Sequence, residues 1–197
     1  MSTAGLILAA GSSSRFGSAK ALADLEGRPL LQHVLDAAAS AQLMPVIVVL
    51  GHGAAAIEGG IRWRTERRIV NPDPARGLSS SLQQGLAELA TTAPQADAVI
   101  LLGDQPRTSP AVIRALVEAA EETVRPLVAP RYAAGGGFNP VFIRRDAFGI
   151  AGDAEGDRGL GPILAARPEL VTWIDVEGSN PDVDTPADLI ALRPAGG

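Results

Sequence analysis

The sequence predicts an α/β fold, a single-domain, Rossmann-like three-layer sandwich around a mostly parallel sheet. Three observations favour it. Short apolar runs at residues 6–8, 45–50 and 98–102 alternate with longer segments of helical periodicity. Strands that are buried on both faces of a parallel sheet have such continuous apolar sequences. The length of 197 residues suits one well-buried domain better than two.

The first predicted strand, residues 6–8, leads into a loop that contains Gly11, three serines, Arg15, Gly17 and Lys20. Small residues let backbone N–H groups approach a polyphosphate, while the hydroxyls and the two cations add donors and positive charge. The glycine spacing fits neither the dinucleotide-binding fingerprint nor the P-loop. The sequence therefore predicts an anion-binding loop of another kind, which we call the cradle (residues 11–20).

The other elements follow from periodicity and turn residues. Pro29 is expected in the first turn of a helix, and Glu26 and Gly27 in the turn of a short excursion over residues 22–29. Strands are further predicted at residues 69–71, 127–130, 141–143 and 171–176. Helices are predicted at residues 30–38, 82–89 and 109–122, and a last helix begins at residues 185–186.

Composition excludes several classes of protein. The net charge of -5 argues against a nucleic-acid surface, which requires basic patches. The basic cluster Arg62, Arg64, Arg67 and Arg68 includes Glu66, and we expect it in a solvated helix end or loop. The absence of cysteine from the sequence excludes disulfides and thiolate sites. Without a visible secretory signal or a membrane-length apolar run, we expect a cytoplasmic protein with no membrane partner.

Carboxylates follow two of the predicted strands. Asp104 comes just after residues 98–102, where it could hold a hard cation or cap the next helix. Asp182 and Asp184 are two residues apart, so on an extended backbone both side chains point to one side; alternatively, Asp184 or Thr185 caps the last helix. Because parallel strands end at one edge of a sheet, we expect the cradle and these carboxylates to meet.

At the cradle the chain resembles the MobA-like nucleotidyltransferases, whose signature is L-A-[AG]-G-x-S-x-R-x-G followed by a lysine. The matching residues are Leu8, Ala9, Ala10, Gly11, Ser13, Arg15, Gly17 and Lys20. The resemblance covers residues 6–189. It implies a sheet sandwich of the nucleotide-diphospho-sugar transferase type, with one nucleotidyltransferase domain over residues 1–192 and a frayed tail over residues 193–197.

The resemblance also implies a role for each matching residue. The implied catalytic residues are Arg15, Lys20 and Asp104. Nucleotide binding is implied for Leu8, Ala9, Ala10, Gly11, Ser12, Ser13, Arg15, Lys20, Gly77, Ser79, Ser80 and Gly103. Magnesium is implied at Asp104 and Asp182, with Asp184 as the alternative second ligand. Serines before a helix are also common N-caps, so residues 79–81 have two open interpretations.

Contact with the acceptor substrate is implied for Gln105, Pro106, Asn139 and Asp157. The chain departs from the family pattern at two of these positions. Relatives most often have methionine at the position of Gln105 and histidine at the position of Asn139. An asparagine can donate a hydrogen bond, but it cannot carry a proton as histidine does.

Within this family the chain most resembles the molybdenum cofactor cytidylyltransferases. Ala10 favours CTP, because guanylyl-transferring relatives tend to have a second glycine at that position. The implied reaction is magnesium-dependent transfer of CMP from CTP to molybdopterin with release of pyrophosphate, and a molybdenum hydroxylase is a candidate partner. Two alternatives stay open. One is the same reaction on another small phosphate, such as a sugar phosphate or methylerythritol phosphate, and the other is a non-catalytic cofactor-binding accessory protein.

Overall fold

The computed structural model describes residues 2–11, 16 and 19–192. The strands in this part of the chain are β1 (Thr3–Ala9), β2 (Asp24–Leu25), β3 (Arg28–Pro29), β4 (Val46–Leu50), β5 (Arg67–Val70), β6 (Asp97–Leu102), β7 (Leu127–Tyr132), β8 (Val141–Ile143) and β9 (Val171–Val176). Seven of them form one sheet in the order β5-β4-β1-β6-β8-β7-β9. Only β8 runs antiparallel to its neighbours in this sheet, which confirms the predicted fold class.

Helices cover both faces of the sheet. They are α1 (Leu30–Ser40), α2 (Ala54–Gly60), α3 (Leu78–Thr92), α4 (Pro110–Glu121), α5 (Gly161–Ala166) and α6 (Pro186–Ala191). On one face α3 and α5 pack over Leu6, Leu8 and Ile100, and on the other α1, α2 and α4 pack over Ile7 and Leu101. Successive strand residues thus enter opposite cores, so β1 and β6 are apolar from Ala4 and Ala98 onward.

A third, small cluster lies beside the cradle. Leu25, Leu30 and Val183 are fully buried there, and Phe16 of the cradle packs against them. Leu25 belongs to the hairpin of β2 and β3, whose turn residue Glu26 has a φ of 55°, as the predicted turn requires. This cluster, which we call the satellite core, joins the cradle to the chain segment that carries Asp182 and Asp184.

The arginine cluster differs from the prediction. Arg67 and Arg68 belong to the edge strand β5, so the expected helix end or loop is wrong for them. Arg67 forms an ion pair with Glu88 of α3, and the Arg68 guanidinium lies 5.1 Å from the centre of the Trp63 ring. Charged side chains protect an exposed strand edge from pairing with another chain.

The helix caps also differ in part from the prediction. Residues 79–81 lie inside α3, and Gly77 occupies its N-cap position with a φ of 87°, so their interpretation as caps is wrong. Ser109 caps α4 and Thr185 caps α6. Because other residues cap these two helices, neither Asp104 nor Asp184 is used as an N-cap.

In the described part of the chain, none of the helices has the length and apolar character that a bilayer crossing requires.

Candidate active site

A cavity of about 520 Å³ opens at the carboxyl ends of β1 and β6. Within this sheet β4 is the strand that follows β1 along the chain. It pairs with one side of β1, and β6 pairs with the other side. Such a change of direction is where ligands bind in open α/β sheets. The described lining residues are Leu8, Ala10, Gly11, Lys20, Pro74, Ala75, Gly77, Leu78, Ser81, Leu102, Asp104, Asp157, Asp182 and Asp184.

The floor of the cavity is closely packed backbone. A Cβ atom added to Gly51 would lie 2.5 Å from the Ala10 carbonyl oxygen, and one added to Gly103 would lie 2.9 Å from the Ala9 Cβ. The Gly103 N–H donates to the Leu8 carbonyl at 2.9 Å. Ala9 and Gly103 therefore support the floor, and they line a small adjoining pocket rather than the main cavity.

Lys20 brings positive charge to the cavity from the end of the cradle. Its Nζ donates to Asp104 Oδ2 at 2.7 Å and to Asp184 Oδ1 at 3.1 Å. Burial alone would lower the pKa of Lys20, but the two carboxylates outweigh burial and raise it above its usual value. The ammonium group therefore stays charged at neutral pH.

Among the lining residues that the structure describes, the carboxylates outnumber this cation. Asp104 Oδ1 is buried and has no hydrogen-bond partner within the described ranges. Although much of Asp182 is exposed, its Oδ1 accepts from Gln105 Nε2 at 2.9 Å. Burial of this carboxyl is the main reason why the pKa of Asp182 is raised to about 6, and the negative charges of Asp104 and Asp184 contribute to the increase. A site with this balance of charge favours an additional cation.

The donor set suits a divalent ion that is shared with a substrate. Asp104 and Asp182 offer hard carboxylate oxygens, and a buried oxygen without a partner indicates where a cation fits. No group of three or more acidic, histidine or cysteine ligands occurs among the residues that the structure describes. A divalent ion that is shared with a phosphorylated substrate is typically held by one or two carboxylates, and water and phosphate oxygens complete its shell.

The predicted cradle is only partly described. Gly11 lines the cavity and Phe16 packs into the satellite core. Ser12, Ser13 and Arg15 lie outside the described residues, as do Gly17 and the predicted frayed tail at residues 193–197. The predicted roles of these residues stay predictions.

The opposite wall comes from the segment between β5 and α3 and from the start of α3, and the sequence analysis missed Pro74, Ala75 and Leu78 there. Pro74, Ala75, Leu78 and Ser81 line the cavity. The proline-rich, irregular sequence before α3 was the available signal, since loops at this edge carry ligand contacts. Gly77 approaches the next wall closely, because a Cβ atom added there would lie 2.6 Å from Asp157 Oδ1.

The serines of α3 divide between two environments. Ser79 and Ser80 are buried and do not belong to the described lining. Ser80 Oγ donates to the Gly77 carbonyl at 2.9 Å and accepts from Asn71 Nδ2 at 2.8 Å. Ser81 also accepts from Asn71, and it lines the cavity. The structure thus assigns Ser79 and Ser80 no direct contact with the cavity.

The four predicted acceptor-binding residues also occupy different environments. Asp157 lines the main cavity and Asn139 lines a small pocket beside it. Gln105 and Pro106 are buried and do not reach the cavity surface as far as it is described. Gln105 contacts Asp182 instead, so a direct contact of Gln105 or Pro106 with the acceptor does not fit this structure.

A comparison with known protein families identifies the family to which this chain belongs. The model of the MobA-like NTP transferase domain matches residues 5–171. The chain belongs to this family. The resemblance that the cradle indicated is therefore confirmed, and this MobA-like chain contains a nucleotidyltransferase domain.

Individual relatives agree with the assignment. The MobA-like chain is 41% identical over 122 residues to the bifunctional protein GlmU of Acidovorax sp. (strain JS42), a match of 58% of this chain and 25% of that protein. GlmU of Paraburkholderia xenovorans (strain LB400) is 32% identical over 173 residues, which cover 87% of this chain and 37% of GlmU. The chain thus spans about a quarter to a third of the length of these curated relatives.

A solved structure matches over almost the whole length of both chains. The crystal structure of Rv0371c from Mycobacterium tuberculosis H37Rv has a TM-score of 0.86 and 31% identity, and the match covers 98% of each chain. A second structure of that protein is a complex with manganese, with a TM-score of 0.83, 29% identity and the same coverage. Both support the α/β fold of this MobA-like chain.

Proposed function

We propose that this protein is a magnesium-dependent cytidylyltransferase, which transfers CMP from CTP to molybdopterin and releases pyrophosphate. One observation carries the proposal. Lys20 Nζ and the carboxylates of Asp104 and Asp184, from distant parts of the chain, are within hydrogen-bond distance at the mouth of one cavity. A cation beside acidic groups in a cavity of about 520 Å³ suits a triphosphate that arrives together with a divalent metal ion.

The proposed reaction exchanges one phosphorus–oxygen bond for another. A phosphate oxygen of the acceptor attacks the α-phosphorus of CTP. The bond from the α-phosphorus to the bridging oxygen breaks, and this oxygen leaves with the electron pair as part of pyrophosphate. A phosphate monoester has a second pKa of about 6, so it is mostly a dianion at pH 7 and needs no general base. The chain therefore contributes positioning and charge.

Lys20 and Asp104 have complementary roles in this proposal. Lys20 stabilises the negative charge that develops on the triphosphate. Asp104 holds Lys20 through Oδ2 and offers Oδ1, together with Asp182, to magnesium. When bound, magnesium neutralises phosphate charge and lowers the barrier to attack on phosphorus. Asp184 pairs with Lys20, which favours a role in holding the lysine over a role as metal ligand.

The choice of CTP and of molybdopterin rests on the sequence. Ala10 lines the cavity. The chain has L-A-A-G at this point, whereas guanylyl-transferring relatives tend to have L-A-G-G. Delivery of the product to a molybdenum hydroxylase is part of the same proposal. The nucleotidyltransferase family of the chain supports the reaction class, and the acceptor is the part that needs the most direct test.

Pyrophosphate release tests the proposal. Purified protein with Mg²⁺ is incubated with CTP, GTP, UTP or ATP, each with and without molybdopterin, a sugar phosphate or methylerythritol phosphate. We expect release from CTP only when molybdopterin is present, and none from an Asp104→Asn variant. Turnover with another acceptor would replace molybdopterin but keep the reaction class. Tight binding of CTP or molybdopterin without pyrophosphate would contradict an enzyme and support an accessory protein.

A further inference from the structure

The chain segments that carry Asp104 and Asp182 are joined by hydrogen bonds beneath the cavity. Asp104 lies in the turn after β6, and Asp182 lies in the extended segment before α6. The Val183 N–H donates to the Asp104 carbonyl at 3.0 Å, and Gln105 Nε2 donates to the Asn180 carbonyl at 3.3 Å. The two segments therefore form one unit although 77 residues separate Gln105 from Asp182.

The amide of Gln105 is buried at the centre of this unit. Gln105 is 1% exposed, and its Oε1 accepts from Asn180 Nδ2 at 3.1 Å. This bond fixes the orientation of the amide, because a flipped amide would bring two N–H groups together. Nε2 consequently faces Asp182 and donates to its Oδ1 at 2.9 Å.

Asn180 is held from several sides. It is 1% exposed, and its Nδ2 lies 3.3 Å from Thr108 Oγ1 and 3.1 Å from the Asn139 carbonyl oxygen. The Thr108 hydroxyl donates to the Gln105 carbonyl at 2.8 Å, so its lone pairs are available to Asn180. Gly136 packs against the Asn180 backbone, where an added Cβ atom would lie 2.8 Å from the nitrogen. We call Gln105, Thr108 and Asn180 the buried amide network.

We propose that Gln105 is a positioning residue, which fixes the carboxylate of Asp182 so that its second oxygen faces the metal, and that Asn180 fixes Gln105. The proposal rests on the assignment of Asp104 and Asp182 as metal ligands in the proposed function. Hydrogen bonds that orient a metal ligand typically change metal affinity by 10- to 100-fold when they are removed. If Gln105 had only a structural role, its removal would lower the stability of the protein and leave its metal affinity unchanged.

The test is the dissociation constant of Mn²⁺, measured by electron paramagnetic resonance on the full, nucleotide-free protein. Gln105→Met keeps a similar length and loses the N–H group. We expect its Mn²⁺ dissociation constant to rise by about tenfold. At saturating metal, the KM for nucleotide should stay within about twofold of the wild-type value, because Gln105 does not line the cavity.

Gln32→Met is the matched control. Gln32 is also buried, and its amide donates to Asp36 Oδ1 at 3.1 Å and accepts from the Arg62 N–H at 2.9 Å, on α1 away from the cavity. It should lose a similar amount of thermal stability and bind Mn²⁺ as the wild type does. Equal Mn²⁺ affinities of the wild type and Gln105→Met would overturn the proposal.

Two further variants cover the remaining outcomes. Asn180→Ser leaves Gln105 in place and removes the N–H group that orients it, so Mn²⁺ binding should weaken in the same direction; if Gln105→Met does not fold, an unchanged affinity in Asn180→Ser overturns the proposal. Asp182→Asn tests the underlying assignment. If it and Asp104→Asn both bind Mn²⁺ as the wild type does, the metal assignment of the proposed function fails, and this result is distinct from failure at Gln105 alone.

Discussion

The charged rim of the cavity and the buried amide network beneath it are built on opposite principles. On the charged rim, Lys20 meets Asp104 and Asp184, whose side chains are 28% and 57% exposed. Beneath the cavity, Gln105 and Asn180 are neutral, 1% exposed and bonded to one another. The charged rim can exchange its partners for those of a substrate, whereas the buried amide network fixes geometry.

The energetics of the charged rim and of the buried amide network differ for the same reason. An exposed ion pair contributes only about 0.2–1 kcal/mol, so the pair of Lys20 and Asp184 is easily replaced when a triphosphate arrives. Removal of a buried N–H group leaves its acceptors unsatisfied at a cost of about 1–3 kcal/mol. Substitutions on the charged rim should therefore change activity more than stability, and substitutions in the buried network should change both.

The largest effect is expected on the charged rim at Asp104. Asp104→Asn removes a proposed metal ligand and the negative charge opposite Lys20, so kcat/KM should fall by about 10³-fold or more. The fold should persist, because the pair with Lys20 is partly exposed. Pyrophosphate release and the thermal unfolding midpoint measure the two quantities. A rate within tenfold of the wild type would remove Asp104 from the metal site.

Lys20→Met should change nucleotide binding and metal binding in opposite directions. The KM for the nucleotide should rise and kcat/KM should fall by about 10²-fold, because a cation that faces the triphosphate is lost. Mn²⁺ should bind more tightly to the nucleotide-free variant, because Asp104 and Asp184 lose a competing cation. Both constants can be measured on one preparation. Weaker Mn²⁺ binding would show that Lys20 does not compete for these carboxylates.

Gly77→Ala tests the wall where two loops touch. Alanine is strained at a φ of 87°, and its Cβ would lie 2.5 Å from the Gly156 carbonyl carbon, so we expect a loss of about 1–3 kcal/mol in the free energy of unfolding. The KM for nucleotide should also rise as Asp157 moves. Urea unfolding and initial rates check both effects. Gly59→Ala in α2 is the control, since nothing lies within 4 Å of its added Cβ and stability should be equal or higher.

The smallest effect is the pH dependence of stability at Asp182. Its pKa is about 6 in the folded protein and 3.8 in the reference state, so the folded state binds the proton more tightly. Asp182 therefore costs stability as pH rises from about 4 to about 6. Without divalent metal, Asp182→Asn should unfold at a higher temperature than the wild type at pH 7.5. At pH 4 the difference in unfolding temperature between the two proteins should vanish. A difference that stays constant from pH 4 to pH 7.5 would show that the charge of Asp182 is not its cause.

The sheet and the reaction class can be predicted from the amino-acid sequence alone. The continuous apolar runs of β4 and β6 identify strands buried on both faces, because each of their residues enters one of two cores. The cradle motif and Asp104 follow two such strands, and parallel strands bring their carboxyl ends together. These signals are local in the chain, so they can be read from neighbouring residues.

The contacts between side chains of the site depend on the tertiary fold. Lys20 pairs with Asp104, which is 84 residues away, and Gln105 lies beneath the cavity rather than on it. Ser80 accepts a hydrogen bond from Asn71 and does not cap α3. No local pattern distinguishes a buried glutamine or serine from an exposed one, because burial and hydrogen-bond partners are set by the packing of distant segments against one sheet.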